Sequence, residues 1–139
     1  MRTLADLVRD HEPVVFPPGA NVKEAARRMR ERGVGAVLVA DDARLIGIFT
    51  GRDAIGRILA EGRDPAATTL AEVMTENPET MTPRHTAIEA LRMMRDARCR
   101  HLPIVEEGRI VGIVSRGDFR GTEQDRLDEE TGLWERIAY

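Results

Sequence analysis

Two four-residue segments carry the side chains best suited to chemistry: Thr50-Gly51-Arg52-Asp53 and Ser115-Arg116-Gly117-Asp118. In each, a hydroxyl is followed three residues later by a carboxylate, the spacing at which side-chain oxygens accept the orphan amides at the start of a helix. Capping alone accounts for such a pattern. Position supplies a second account, because a helix N-terminus offers free N–H groups and a partial positive charge, a place where phosphate can sit. A carboxylate there can also accept both vicinal hydroxyls of a ribose, as acidic residues do in other nucleotide sites. Arg52, Arg116, Arg98, Arg100 and His101 are the countercharges available for a di- or triphosphate, with solvated surface as the plainer account of such arginines.

Other chemistries find less support. The single cysteine, Cys99, permits no internal disulfide and supplies too few thiolates for structural zinc. His11, His85 and His101 lie far apart without ligand spacing, so no metal centre is expected. An acid–base pair of His101 with Asp118 would be the enzymatic reading, but no nucleophile motif, metal cluster or phosphate-cradling glycine loop accompanies them, so the chain reads as no enzyme. A net charge of -3 removes the broad basic field of nonspecific nucleic-acid binding. The apolar runs Ala36–Ala40 and Leu45–Phe49 fall far below the roughly 18 residues that span a bilayer. Met1 to Asp6 leads into acidic residues instead of an apolar stretch, so a cytoplasmic protein is expected.

The elements that must position the two motifs come in duplicate. Shifting the chain by 65 residues superimposes Pro13–Asp53 on Pro78–Asp118 without a gap and with eleven identities, among them Glu24/Glu89, Met29/Met94, Gly47/Gly112 and Asp53/Asp118. With one more residue of offset, Thr3-Leu4-Ala5-Asp6 matches Thr69-Leu70-Ala71-Glu72. Val22, Ala25, Ala26 and Met29 recur at helical spacing, as do Ala87, Ala90, Leu91 and Met94, giving one amphipathic helix per copy. Gly33 closes the first helix, and Arg98 stands in its place in the second. A hairpin follows in each copy, from Ala36–Val39 to Leu45–Phe49 and from Leu102–Val105 to Ile110–Val114. Short strands are expected before the long helices, at Val14–Phe16 and Glu79–Met81. After Asp53 a second helix carries Ile55, Ile58 and Leu59 on one face, whereas its counterpart after Asp118 has Arg120, Glu123 and Gln124 and should be short or shifted. Cys99 aligns with Val34 and reads as an apolar filler, not an activated thiolate.

The order and duplication of Asn21-Val22-Lys23-Glu24-Ala25 through Met29, Arg100-His101-Leu102-Pro103-Ile104-Val105, Gly47-Ile48-Phe49-Thr50-Gly51-Arg52-Asp53 and Gly112-Ile113-Val114-Ser115-Arg116-Gly117-Asp118 resemble a tandem pair of cystathionine-beta-synthase (CBS) domains, the Bateman module, in a free-standing prokaryotic form. The resemblance implies an α/β (α+β) fold of two β-α-β-β-α units packed through their sheets with pseudo-two-fold symmetry, as residues 1–65 and 66–122. It implies adenosine-containing ligands such as AMP, ADP, ATP, NADH or S-adenosylmethionine in clefts between the copies, with no obligatory cofactor. Asp53 and Asp118 would hold ribose, Thr50 and Ser115 phosphate, and Arg52, Arg116, Arg100 and His101 the phosphate charge. The first copy has Gly35 and Ala36 where the second has Arg100 and His101, so the two sites should differ in charge.

The expected role is a regulatory sensor that transmits ligand occupancy to a protein partner. A CBS-fold interaction scaffold without significant ligand binding is the alternative. A homodimer is expected from the resemblance and from the apolar helix face, without nucleic acid or membrane among the partners. Residues 123–139 lie beyond the repeat and hold the only tryptophan, so Leu133, Trp134 and Ile137 are read as an anchor docked on the module or its dimer mate.

Overall fold

In the computed structural model, which describes residues 2–8 and 12–119, the chain runs through α1 (Leu4–Val8), β1 (Val15–Phe16), α2 (Val22–Arg32), β2 (Ala36–Asp41) and β3 (Arg44–Thr50). There follow α3 (Gly51–Asp53), continued without a break as a π-helix over Ala54–Leu59, then α4 (Leu70–Val73), β4 (Thr75–Glu76), α5 (Ala87–Ala97), β5 (His101–Glu106), β6 (Arg109–Ser115) and a 3-10 turn at Arg116–Asp118. This is the mixed α/β architecture of two repeats read from the sequence.

The local reasons repeat with the sequence. Asn21 caps α2 by accepting the Glu24 N–H at 2.8 Å, and Thr86 caps α5 by accepting that of Glu89 at 3.2 Å. α2 ends on Gly33 at φ 65°, and α5 ends the same way on Arg98 at φ 55°, a left-handed conformation that disfavours a side chain. β2 and β3 pair antiparallel from Ala36↔Thr50 to Asp41↔Arg44, with a bulge between Val39 and Ala40. β1 lies parallel to β2 with Phe16 opposite Val39. In the second copy the strand expected at Glu79–Met81 is reduced to one parallel bridge, Met81↔Ile104, the same pair 65 residues on.

Compact units do not follow the repeats. Among the described residues, one unit comprises 2–8, Glu12, Glu79–Glu106 and 111–119; the other comprises Pro13–Pro78 and Glu107–Ile110. The lead-in segments have changed places. Leu4 and Ala5 donate to the carbonyls of His85 and Pro83 at 2.9 and 3.0 Å, while Leu70 and Ala71 donate to those of Ala20 and Pro18 at the same distances. The cores follow: Leu4, Leu7 and Val8 are buried with Ala87, Leu91, Met94, Leu102 and Ile104, whereas Leu70 and Val73 are buried with Val22, Ala25, Val37, Val39 and Phe49. The repeated glycines make room for this exchange. A Cβ on Gly112 would lie 2.8 Å from Cβ of Val8, and one on Gly47 would overlap the side chain of Met74 and approach the Thr75 carbonyl at 3.1 Å.

The face expected to carry Ile55, Ile58 and Leu59 together is divided. Ile58 is 3% exposed in the core, while Ile55 and Leu59 are 64% and 73% exposed. The π-helix explains the division: its N–H groups bond five residues back, as Ala60 does to Ile55 and Arg63 to Ile58. At roughly 4.4 residues per turn, Ile55 and Leu59 stay aligned while Ile58 rotates away. In the second copy the turn Arg116–Asp118 leads to buried Phe119. Leu133, Trp134 and Ile137 lie outside the described residues.

Candidate functional site

Both motifs sit where a hairpin strand ends and a helical turn begins. At the end of β3 the Thr50 N–H donates to Asp53 Oδ2 at 3.0 Å, and the Asp53 N–H donates back to Thr50 Oγ1 at 3.2 Å. At the end of β6 the Ser115 N–H donates to Asp118 Oδ2 at 2.7 Å, and the Ser115 hydroxyl lies 3.3 Å from the same oxygen. Each carboxylate is thus turned back over its own strand end, half-buried and fixed. A carboxylate offers about four lone-pair sites, and each cap takes one or two of them.

The backbone beneath the motifs is also duplicated. The Gly51 N–H donates to the Gly35 carbonyl at 3.1 Å, and 65 residues on the Arg116 N–H donates to the Arg100 carbonyl at 2.9 Å. One bond holds two glycines side by side in the first copy and two arginines in the second. The structure therefore brings Ser115, Arg116, Asp118, Arg100 and His101 into one unit, and Thr50, Arg52 and Asp53 into the other. Arg52 is exposed, and a Cβ on Gly51 would meet open space. Burial pushes the His101 imidazole below its ordinary pKa; the Arg100 charge adds to this and Asp118 partly offsets it.

Cys99 packs against the core of its unit, where burial raises its thiol pKa and the Glu79 charge adds to the rise. It is the filler that its alignment with Val34 suggested. One residue next to the first motif escaped the sequence reading. Arg57, four residues after Asp53, places Nη2 3.8 Å from Asp53 Oδ1 and donates from Nη1 to the Val73 carbonyl at 2.8 Å. An acid followed by an arginine at i+4 on a helix is the signal that points to it. Among the described residues no group of His, Cys, Asp and Glu could hold a metal ion, and no helix is long and apolar enough to cross a membrane.

The profile of the CBS domain family matches residues 4–60 and 70–123. The chain is 37% identical over 102 residues to the CBS domain-containing protein YhcV of Bacillus subtilis, covering 73% of this chain and 72% of that protein. It is 40% identical over 114 residues to the CBS domain-containing protein CBSCBSPB3 of Arabidopsis thaliana, but there 81% of this chain spans only 20% of the relative's length. Its fold is that of the CBS domain protein PAE2072 of Pyrobaculum aerophilum, solved in complex with AMP, at a TM-score of 0.82 and 22% identity over 91% of this chain and 98% of that one. With two matched repeats, two equivalent hairpins and two equivalent strand-end motifs, the chain belongs to the CBS domain family as a tandem CBS pair.

Proposed function

We propose that this CBS pair is a non-catalytic regulatory module that binds an adenosine-containing ligand at its hydroxyl–carboxylate motifs and passes occupancy to a protein partner. The observation that carries the reading is the duplication of the motif in one geometry, with Asp53 and Asp118 each held by the amide of a strand-end Thr or Ser. In this reading Asp53 and Asp118 accept ribose hydroxyls. Thr50 and Ser115, at the start of the helical turns that follow them, face phosphate. Arg52 serves the first copy, while Arg116, Arg100 and His101 serve the second, which therefore suits the more highly charged ligand. AMP bound to the Pyrobaculum aerophilum protein supports the ligand class. Output requires that the ligand bind one conformation better than another, since equal affinity shifts nothing.

Exposed Ile55 and Leu59 support a homodimer, with these side chains covered by the second copy. A thermal-shift panel of AMP, ADP, ATP, NADH and S-adenosylmethionine tests the ligand class. A specific ligand at about 100 times its Kd adds roughly 2.7 kcal/mol of stability. If none of the five stabilises the protein, the capping boxes are purely structural and the chain is a CBS-fold scaffold.

A further inference from the structure

Arg57 belongs to no part of the motif, yet its guanidinium touches two things that the chain otherwise keeps apart. Nη2 faces Asp53 Oδ1 at 3.8 Å, the oxygen that the Thr50 cap leaves over, and Nη1 donates to the carbonyl of Val73 at 2.8 Å. Val73 ends α4, where helix carbonyls lack partners of their own. The Asp53 side chain is only 13% exposed, so an approaching cation is not simply screened away. The helix turns from α to π immediately after Asp53, and such turns recur at functional sites. Arg57 shares an open cleft of about 470 Å³ with Glu61, Arg63 and Glu72. Glu72 there is already engaged by Arg63 at 3.0 Å and by the Thr69 amide at 2.7 Å, which leaves Arg57 to the motif carboxylate.

We infer that Arg57 is a positioning residue for the first motif: it orients the Asp53 carboxylate and ties it to the end of α4, so that the acceptor and the exchanged lead-in segment move as one. Its counterpart 65 residues on is Thr122, which has no guanidinium. The consequence for ribose recognition rests on the reading of Asp53 given above; the positioning itself does not.

Amide hydrogen exchange on the ligand-free protein tests the positioning. Arg57→Met keeps most of the apolar stem and removes the charge. The expected result is exchange about three- to tenfold faster at the Thr50 N–H and through Val73–Met74, with the Thr86 and Glu89 amides of the other unit unchanged and Arg57→Lys intermediate. Uniform acceleration over Pro13–Pro78, or none at Thr50, overturns it. In an Asp118→Ala background, calorimetry with AMP and 2′-deoxy-AMP should then show Arg57→Met reducing the preference for AMP about three- to tenfold. If Asp53→Ala removes that preference and Arg57→Met leaves it intact, the positioning role fails while the ribose assignment stands. If Asp53→Ala leaves it intact, the ribose assignment fails, and the exchange at Thr50 decides the positioning alone.

Discussion

Gly112→Ala should destabilise the protein, although glycine in a strand is ordinarily an entropic weakness. The new Cβ would stand 2.8 Å from Val8 Cβ and 3.0 Å from Val8 Cγ1, inside the ordinary contact distance of about 3.5 to 4.0 Å. Val8 is β-branched and 8% exposed in the core of its unit, so it cannot rotate away, and α1 must shift by several tenths of an ångström. Overpacking of this kind costs about 1 to 3 kcal/mol, against which the restricted unfolded chain returns about 0.4 to 1. At mid-range the net is a loss of about 1.3 kcal/mol, or a fall of roughly 0.6 M in the urea midpoint at an m-value of about 2 kcal/mol/M. Gly47→Ala should cost less, because the overlapped group is the unbranched, flexible side chain of Met74. Val8→Gly, which removes the opposing Cβ, should rescue Gly112→Ala in a double-mutant cycle. If Gly112→Ala is neutral, or Gly47→Ala is the worse of the two, then the glycines are not there to admit the exchanged segments.

Three further expectations concern strain, titration and assembly. Arg98→Gly relieves a left-handed side-chain residue that Gly33 avoids in the first copy, and should raise Tm by about 2 to 4 °C for a gain near 1 kcal/mol. His101 is held below its ordinary pKa, so it adds stability that is complete above about pH 6.5 and is lost as the pH falls through its lower folded value. Melts between pH 7.5 and 5 should therefore show the wild type losing more stability than His101→Gln, and parallel losses would contradict the burial. Light scattering at micromolar concentration should give a dimer mass, and Ile55→Asp with Leu59→Asp should shift it toward monomer with the fold intact by circular dichroism.

The duplication made most of the fold legible, because helix period, strand runs and turn residues repeat at one offset and each copy checks the other. Asn21, Gly33 and the strand-end Thr and Ser do what their residue types suggest. The exchange of lead-in segments was not legible in the same way. The match of Thr3-Leu4-Ala5-Asp6 to Thr69-Leu70-Ala71-Glu72 reveals two equivalent segments, but either could close either core, since both offer the same leucine and the same backbone donors. What decides between them is chain geometry, which a local pattern does not encode. The π-helix escaped for a related reason: Ile55, Ile58 and Leu59 fit an α-helical stripe, and only the backbone bonds from Ala60 and Arg63 show that Ile58 has rotated into the core. At the site, Thr50, Asp53, Ser115 and Asp118 could be named from their spacing. The charge difference between copies could be named from Gly35 and Arg100. For Arg57 the i+4 spacing from Asp53 signals only the ion pair; its second partner, Val73, is sixteen residues away and is chosen through a backbone carbonyl that carries no sequence signature.

The central claim is that Asp53 and Asp118 each hold the ribose of an adenosine ligand, and calorimetric titration of the wild type, Asp53→Ala, Asp118→Ala and the double variant with AMP and ATP tests it most directly. Each single substitution removes charge-assisted hydrogen bonds worth about 1.5 to 3 kcal/mol, so affinity at its own copy should fall roughly 10- to 100-fold while the other copy keeps most of its own. The double variant should bind neither nucleotide measurably. A double variant that still folds and titrates with wild-type affinity would contradict the assignment and leave both motifs as helix caps alone.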